Sequence, residues 1–241
     1  MLHKTHGIAL KTTNYADNSI VAHIFTQTFG MQSYLINGAR KPKARIPANL
    51  FQPLHLLDLV VYHKESNGLQ RIKEVHPRPV LKEIPMDITK SSIALFLNEI
   101  LYKVLHHQSP DAYLFNFLQQ SIIWLDETDQ RLANFHLIFL IKLCRFLGFL
   151  PLHHHSLKYP YFNLLEGVFD KNLPAHGHVL QEPHTSVFLQ LLQTDFGESH
   201  RIKMNKDDRK YLIEKVLIFY RLHTENFGQV NSLYILEEIF T

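Results

Sequence analysis

The stretch NGARKPKARIPANLFQP, residues 37–53, gathers four cations, Arg40, Lys41, Lys43 and Arg45, within six positions. A guanidinium or ammonium group held against a phosphate releases a condensed counterion, so such a concentration of charge suits a polyanion. If each cation neutralises one phosphate of a single strand, the log–log salt slope of binding is about −3, from roughly −0.7 per contact. Pro42 and Pro47 restrict the free loop, so less entropy is lost when a strand binds. Phe29, Tyr34 and Phe51 could offer stacking faces to bases, but a small barrel needs core residues of these types, and core is the favoured reading. Lys11, Lys64, Arg71 and Lys73 are secondary candidates for phosphate contact, because strand ends could bring them to the same face.

The remaining reactive side chains point to little chemistry. Of 17 histidines, His153–His155 and the pair His176 and His178 fall in one irregular segment. Imidazole suits zinc, copper or nickel. Three consecutive side chains cannot easily share one ion, however, and no acid or thiolate stands at a familiar spacing, so exposed loop histidines are expected and no metal. The single cysteine, Cys144, lies in an apolar helix and reads as a buried structural thiol. No GxSxG elbow, phosphate-cradling GxxxxGK[ST], GxGxxG or HExxH is present. A binding protein is therefore expected rather than an enzyme.

The elements that must position these residues come in two kinds. Short, β-branched or aromatic-rich segments at 7–13, 19–26, 32–37, 54–63 and 69–76 read as strands. Turn signals separate them, with Asn67-Gly68 the strongest. Five such strands in about 80 residues suggest an OB-fold barrel, which binds nucleic acid on its strand face and loops. After Pro77, Pro79 and Pro85 the period changes: Ile93, Leu97, Ile100, Leu101, Val104 and Leu105 recur at helical spacing. Ser109, Pro110 and Asp111 read as a helix start. A third helix is expected over 129–147, capped by Thr128 and ended by Gly148. An irregular insert follows at about 149–184, with a hairpin near YFNLLEGVF. Further helices are expected at 186–194, 207–222 and 232–239. The fold class is thus α+β: an OB-fold domain at 1–80 and a mostly helical domain at 81–241.

Composition agrees with this division. The chain has 241 residues, 46% of them hydrophobic, enough for a real core. Residues 1–82 hold 11 Lys and Arg against 4 Asp and Glu, while residues 83–241 hold 14 against 18. The first third is basic and favours a polyanionic partner; the rest is mildly acidic. Apolar runs reach only about five residues where a spanning helix needs about 20, so no membrane partner is expected. With no leader pattern at the start, a cytoplasmic location fits best.

The order of motifs resembles the bacterial RecO family of recombination mediators. The matching positions are Gly7, Ile8, Leu10, Lys11, Asp17, Phe25, Thr26, Gly30, Gly38, Ala39, Arg40, Lys41, Gln52 and Pro53. The segments LCRFLGFLP at 143–151 and LLEGVFDKNLPAHGHVL at 164–180 resemble later family segments. The resemblance implies an OB-fold followed by helices, binding to single- and double-stranded DNA, and annealing of complementary strands. It also implies replacement of single-strand-binding protein by RecA, together with RecR, without nucleotide hydrolysis, at the nucleoid. It further implies that the helical half docks the acidic, aromatic tail of single-strand-binding protein, for which Lys142 and Arg145 are the candidate contacts. Many members carry a four-cysteine zinc site after the third helix. Here that region has no cysteine, so no zinc is expected and packing must hold it. The alternative reading is an RNA-binding or scaffold module built on the same barrel.

Overall fold

The first strand decides the architecture. β1 (Leu2–Tyr15) is long enough to serve two neighbours: its first half pairs antiparallel with β4 (Leu56–Tyr62), its second half with β2 (Ser19–Thr26). Gly7 stands at the changeover, opposite both Thr26 and Leu57, where a Cβ would come within 2.6 Å of Ile24 Cγ2 and 2.8 Å of Leu59 Cδ1. Only glycine allows that close approach. A bulge between Ala9 and Lys11 then turns the strand. β3 (Gly30–Ile36) runs antiparallel to β2 and parallel to β5 (Gln70–Pro77), which pairs with β4. The five strands close in the order β1-β2-β3-β5-β4, the expected OB-type barrel. A computed structural model describes residues 1–64, 68–106, 108–152 and 159–240; the Asn67-Gly68 turn signal thus lies partly outside the described residues.

The barrel interior is filled by Ala9, Ile20, Ala22, Ile24, Tyr34, Ile36, Phe51, Leu57, Leu59, Val61 and Val75. Tyr34 and Phe51 are therefore core residues and not stacking platforms, as barrel packing demands. Burial pushes the Tyr34 phenol well above its ordinary range.

Two helices pack on the barrel. α1 (Ile88–Val104) is capped by Asp87, whose carboxylate accepts from the Lys90 amide at 2.8 Å. α2 (Ala112–Glu127) is capped by Asp111, which accepts from the amides of Tyr113 and Leu114, so Ser109 and Pro110 precede the helix instead of opening it. Asn98 of α1 donates at 2.8 Å to the carbonyl of Leu10, the residue within the β1 bulge. Phe25 of β2 stacks on Phe115 of α2 with ring centroids 6.3 Å apart. At the end of α2, the buried Asp126 carboxylate accepts from the amides of Lys82, Glu83 and Ile84 at 2.8–3.1 Å, and its own carbonyl accepts from buried Lys90 Nζ at 2.7 Å. This unit spans Met1–Thr128. The change of period at 77–85 marks the passage from strand to helix, while the compact unit runs on through both helices.

The second unit begins at Asp129. Its central helix, α3 (Phe135–Leu147), starts six residues later than the sequence suggests. Thr128 is the C-cap of α2, and the residue before α3, Asn134, is buried and donates to the carbonyls of Ser199 and Ile202 at 3.0 and 2.9 Å. Gly148 closes α3 in the left-handed conformation, φ 87°, as expected. Cys144 is buried, its thiol pushed up to about 12 by burial, which fits an inert structural role. The anticipated hairpin exists as β6 (Tyr161–Asn163) and β7 (Val168–Asp170). A third strand, β8 (Val179–Gln181), completes a sheet in the order β7-β6-β8. α4 (His184–Gln193), α5 (Lys206–His223) and α6 (Leu233–Ile239) complete the unit. Asn205 caps α5 and Asp207 and Asp208 occupy its first turn, favourable against the helix dipole.

The segment after α3, where the resemblance led us to look for a metal site, is held by rings. Phe162 lies 4.9 Å from Phe169, 4.6 Å from Phe188 and 5.8 Å from Phe219 by ring centroid. His176 and His178 sit 6.1 Å apart, and among the described residues no group of three or more His, Cys, Asp or Glu is placed to hold a metal. His153–His155 lie outside the described residues.

Candidate nucleic-acid interface

The basic loop leaves β3 and is tied down at both ends. The Gly38 amide donates to Ser19 Oγ at 3.3 Å and the Arg40 amide to the carbonyl of Asn18 at 3.1 Å. The Arg40 guanidinium donates to the carbonyls of Ala16, at 3.1 Å, and of Asp17. Farther on, the Ala48 amide donates to the carbonyl of buried Ala39 at 3.0 Å, closing the loop at its base. Two successive turns, Lys41 to Gly38 and Ala44 to Lys41, fold the segment between. The result is a short projection standing on the β1–β2 turn, with Arg40, Lys41, Lys43 and Arg45 all exposed. Among the described residues none of the four has a carboxylate within ion-pair distance. Arg40 uses one amino group on the turn and keeps its other donors, so it both shapes the loop and can contact an anion.

Of the four secondary candidates only Arg71 lies near the start of this loop, paired with Leu35 two residues before Asn37. Lys11 extends over the ring of Tyr102 in α1, 4.7 Å from its centroid. Lys64 follows β4, whose last residue Tyr62 pairs with Leu2, near the β2–β3 turn and thus at the end of the barrel away from the basic loop. Arg71 is exposed on the outer face of β5, and Lys73 beside it pairs with Glu74 at 3.3 Å. The β2 strand face, where an OB barrel is expected to take nucleic acid, is covered: Val21 is 7% and Phe25 0% exposed. Sequence reasoning missed Lys4 and Tyr62, because only the pairing register reveals that they share a face with Arg71, and Arg78, which reaches Asp58 of the same face at 3.2 Å.

In the second unit, Lys142 is held by Asp195 at 2.7 Å, and Arg145 is exposed in the last turn of α3. A different place combines apolar walls with cations. A cleft of about 130 Å³ is lined by His136, Ile213, Leu236 and Phe240, with Lys206, Arg209 and Lys210 at its rim. Arg209 is occupied by Asn134 Oδ1 and the Met204 carbonyl, and Lys210 by Glu237 at 3.1 Å, which leaves exposed Lys206 as the available charge.

Full burial, together with nearby Arg209, pushes His136 down to about 3. In the unfolded chain it titrates near 6.5, so between these values only the unfolded state takes up the proton. Acidification through that window should therefore remove about 1.4 kcal/mol of stability per pH unit on account of this residue. His136→Gln should show a shallower acid limb in urea titrations from pH 7 to 5; an identical pH dependence in both proteins would contradict the assignment.

A five-stranded OB-type barrel bearing a cationic loop, followed by a helical unit, is the class that fold and surface define. The family model for the recombination protein O N terminal matches residues 1–78, and that for its C terminal matches residues 85–232. Proteins called DNA repair protein RecO are similar along their full length. The one from Azobacteroides pseudotrichonymphae is 35% identical over 240 residues, covering 100% of both chains. That from Bacteroides fragilis is 36% identical over 241 residues, again covering 100% of both. The Porphyromonas gingivalis protein is 33% identical over 245 residues with the same coverage. The chain belongs to the RecO family and has a role in DNA repair and recombination. Among the described residues no helix is long and apolar enough to cross a membrane.

Proposed function

We propose that the protein is a non-catalytic mediator that holds DNA strands, single or double, by the loop at residues 40–45. It anneals complementary strands and, with RecR, helps RecA replace single-strand-binding protein, in the cytoplasm at the nucleoid. The observation that carries this reading is the set of four exposed cations, without carboxylate partners among the described residues, fixed on a tied-down loop. Two strands repel one another; a basic surface that holds both screens the repulsion and raises their effective concentration, and base pairing supplies the rest. No covalent step, nucleotide or zinc is needed. Strand annealing of DNA coated by single-strand-binding protein, without nucleotide, tests the proposal. Acceleration over the coated strands alone is expected, and an unchanged rate would overturn it.

The acidic, aromatic tail of single-strand-binding protein docks at the cleft beside Lys206, where apolar walls and an available ammonium suit such a peptide better than the paired Lys142. Lys206→Ala should weaken tail-peptide binding about tenfold by fluorescence anisotropy, a loss of about 1.4 kcal/mol. A larger loss in the Lys142→Ala, Arg145→Ala double variant would return the contact to the end of α3.

A further inference from the structure

The outer face of β1, β4 and β5 carries an aromatic side chain that the barrel does not use. The register aligns three rows across these strands: Leu2, Tyr62 and Arg71; then Lys4, Val60 and Glu74; then His6, Asp58 and His76. Directly opposed residues on neighbouring strands share a face. This face is outward, because the alternating Thr5, Leu59, Val61 and Val75 are buried. Leu2 is 46% and Tyr62 49% exposed.

The charges on this face are not balanced. Asp58 is taken by His6 at 2.6 Å and Arg78 at 3.2 Å, and Glu74 by Lys73 at 3.3 Å. Lys4 and Arg71 have no carboxylate partner among the described residues, and exposed Lys64 follows Tyr62 by two positions. Three cations without a carboxylate partner among the described residues thus stand around one exposed phenol ring. Buried Tyr34 and Phe51 serve packing; Tyr62 fills no core position.

We propose that Tyr62, Lys4, Lys64 and Arg71 form a second DNA site, selective for single strands. The ring stacks on an unpaired base while the cations hold the phosphates on either side. A base face is open in a single strand and hidden in a duplex, so ring and charge together select the former. This inference rests on the DNA-binding reading above. It adds a division of labour: the basic loop stands on the β1–β2 turn, Lys64 lies beside the β2–β3 turn, and Arg71, paired with Leu35 of β3, stands between them. One strand held at each place leaves both available to pair.

The test compares binding of a fluorescent oligothymidylate and of a duplex by the full chain. Tyr62→Ala should lower oligothymidylate affinity about tenfold and leave duplex affinity unchanged, whereas Tyr62→Phe, which keeps the ring, should bind both normally. The Lys4→Ala, Lys64→Ala, Arg71→Ala variant should flatten the single-strand salt slope by about 2. Wild-type single-strand affinity in Tyr62→Ala, or an equal loss for both DNA forms, would overturn the site. If the basic-loop variant alone loses oligothymidylate, the second site falls and the general DNA reading stands. A wild-type protein that binds neither DNA form removes both.

Discussion

With Arg40, Lys41, Lys43 and Arg45 all replaced by alanine, the log–log salt slope for single-stranded DNA should flatten by about 3, and affinity at low salt should fall on the order of 10²- to 10³-fold. The loss should be the same for every sequence, because phosphates carry no sequence information directly. Duplex binding should fall as well, with about 0.9 of slope per contact. Arg40 also bonds the carbonyls of the β1–β2 turn, so its removal loosens the loop as well as its charge. The triple variant that keeps Arg40 separates these effects: it should flatten the slope by about 2 with the loop intact. An unchanged slope in the quadruple variant would remove the loop from the interface.

Asp126→Ala should cost about 3 kcal/mol of stability, read as a lower urea midpoint at constant m-value. The carboxylate satisfies three consecutive amides of the segment joining barrel to helix, at 2.8–3.1 Å. Alanine leaves those donors without their acceptor, and bonds to a charged acceptor are the stronger kind. The bond from buried Lys90 Nζ to the Asp126 carbonyl is kept, so the loss reads the carboxylate alone. A cost below about 1 kcal/mol would mean that the segment re-pairs its amides elsewhere.

The five strands were legible because alternation and turn residues are local signals. That they close into a barrel was expected from their number; what permits the closure was not legible: it depends on Gly7, which lets β1 cross from β4 to β2, and on the bulge at Leu10, whose carbonyl is satisfied by Asn98 from far along the chain. The helix starts show the same limit. Ser109 and Thr128 are residues of the right kind for caps, but Asp111 reaches the free amides of α2 and Thr128 ends that helix instead. α3 begins only after Asn134 because that side chain is committed to Ser199 and Ile202. The basic loop could be read from concentration of charge alone. The dispersal of Lys11, Lys64, Arg71 and Lys73, and the company of Tyr62, follow from register, which spacing within one strand does not reveal.

The covering of β2 by α1 and α2 bears on how the chain can be divided. Phe25 and His23 meet rings of later sequence, Phe115 and Tyr102, and the bulge carbonyl of Leu10 finds its donor there too. The N-terminal family model ends at residue 78, but the compact unit does not end there. A fragment severed there would bare a greasy flank and an orphaned carbonyl, so the barrel is no interchangeable cartridge; its smallest self-sufficient form includes both helical staves.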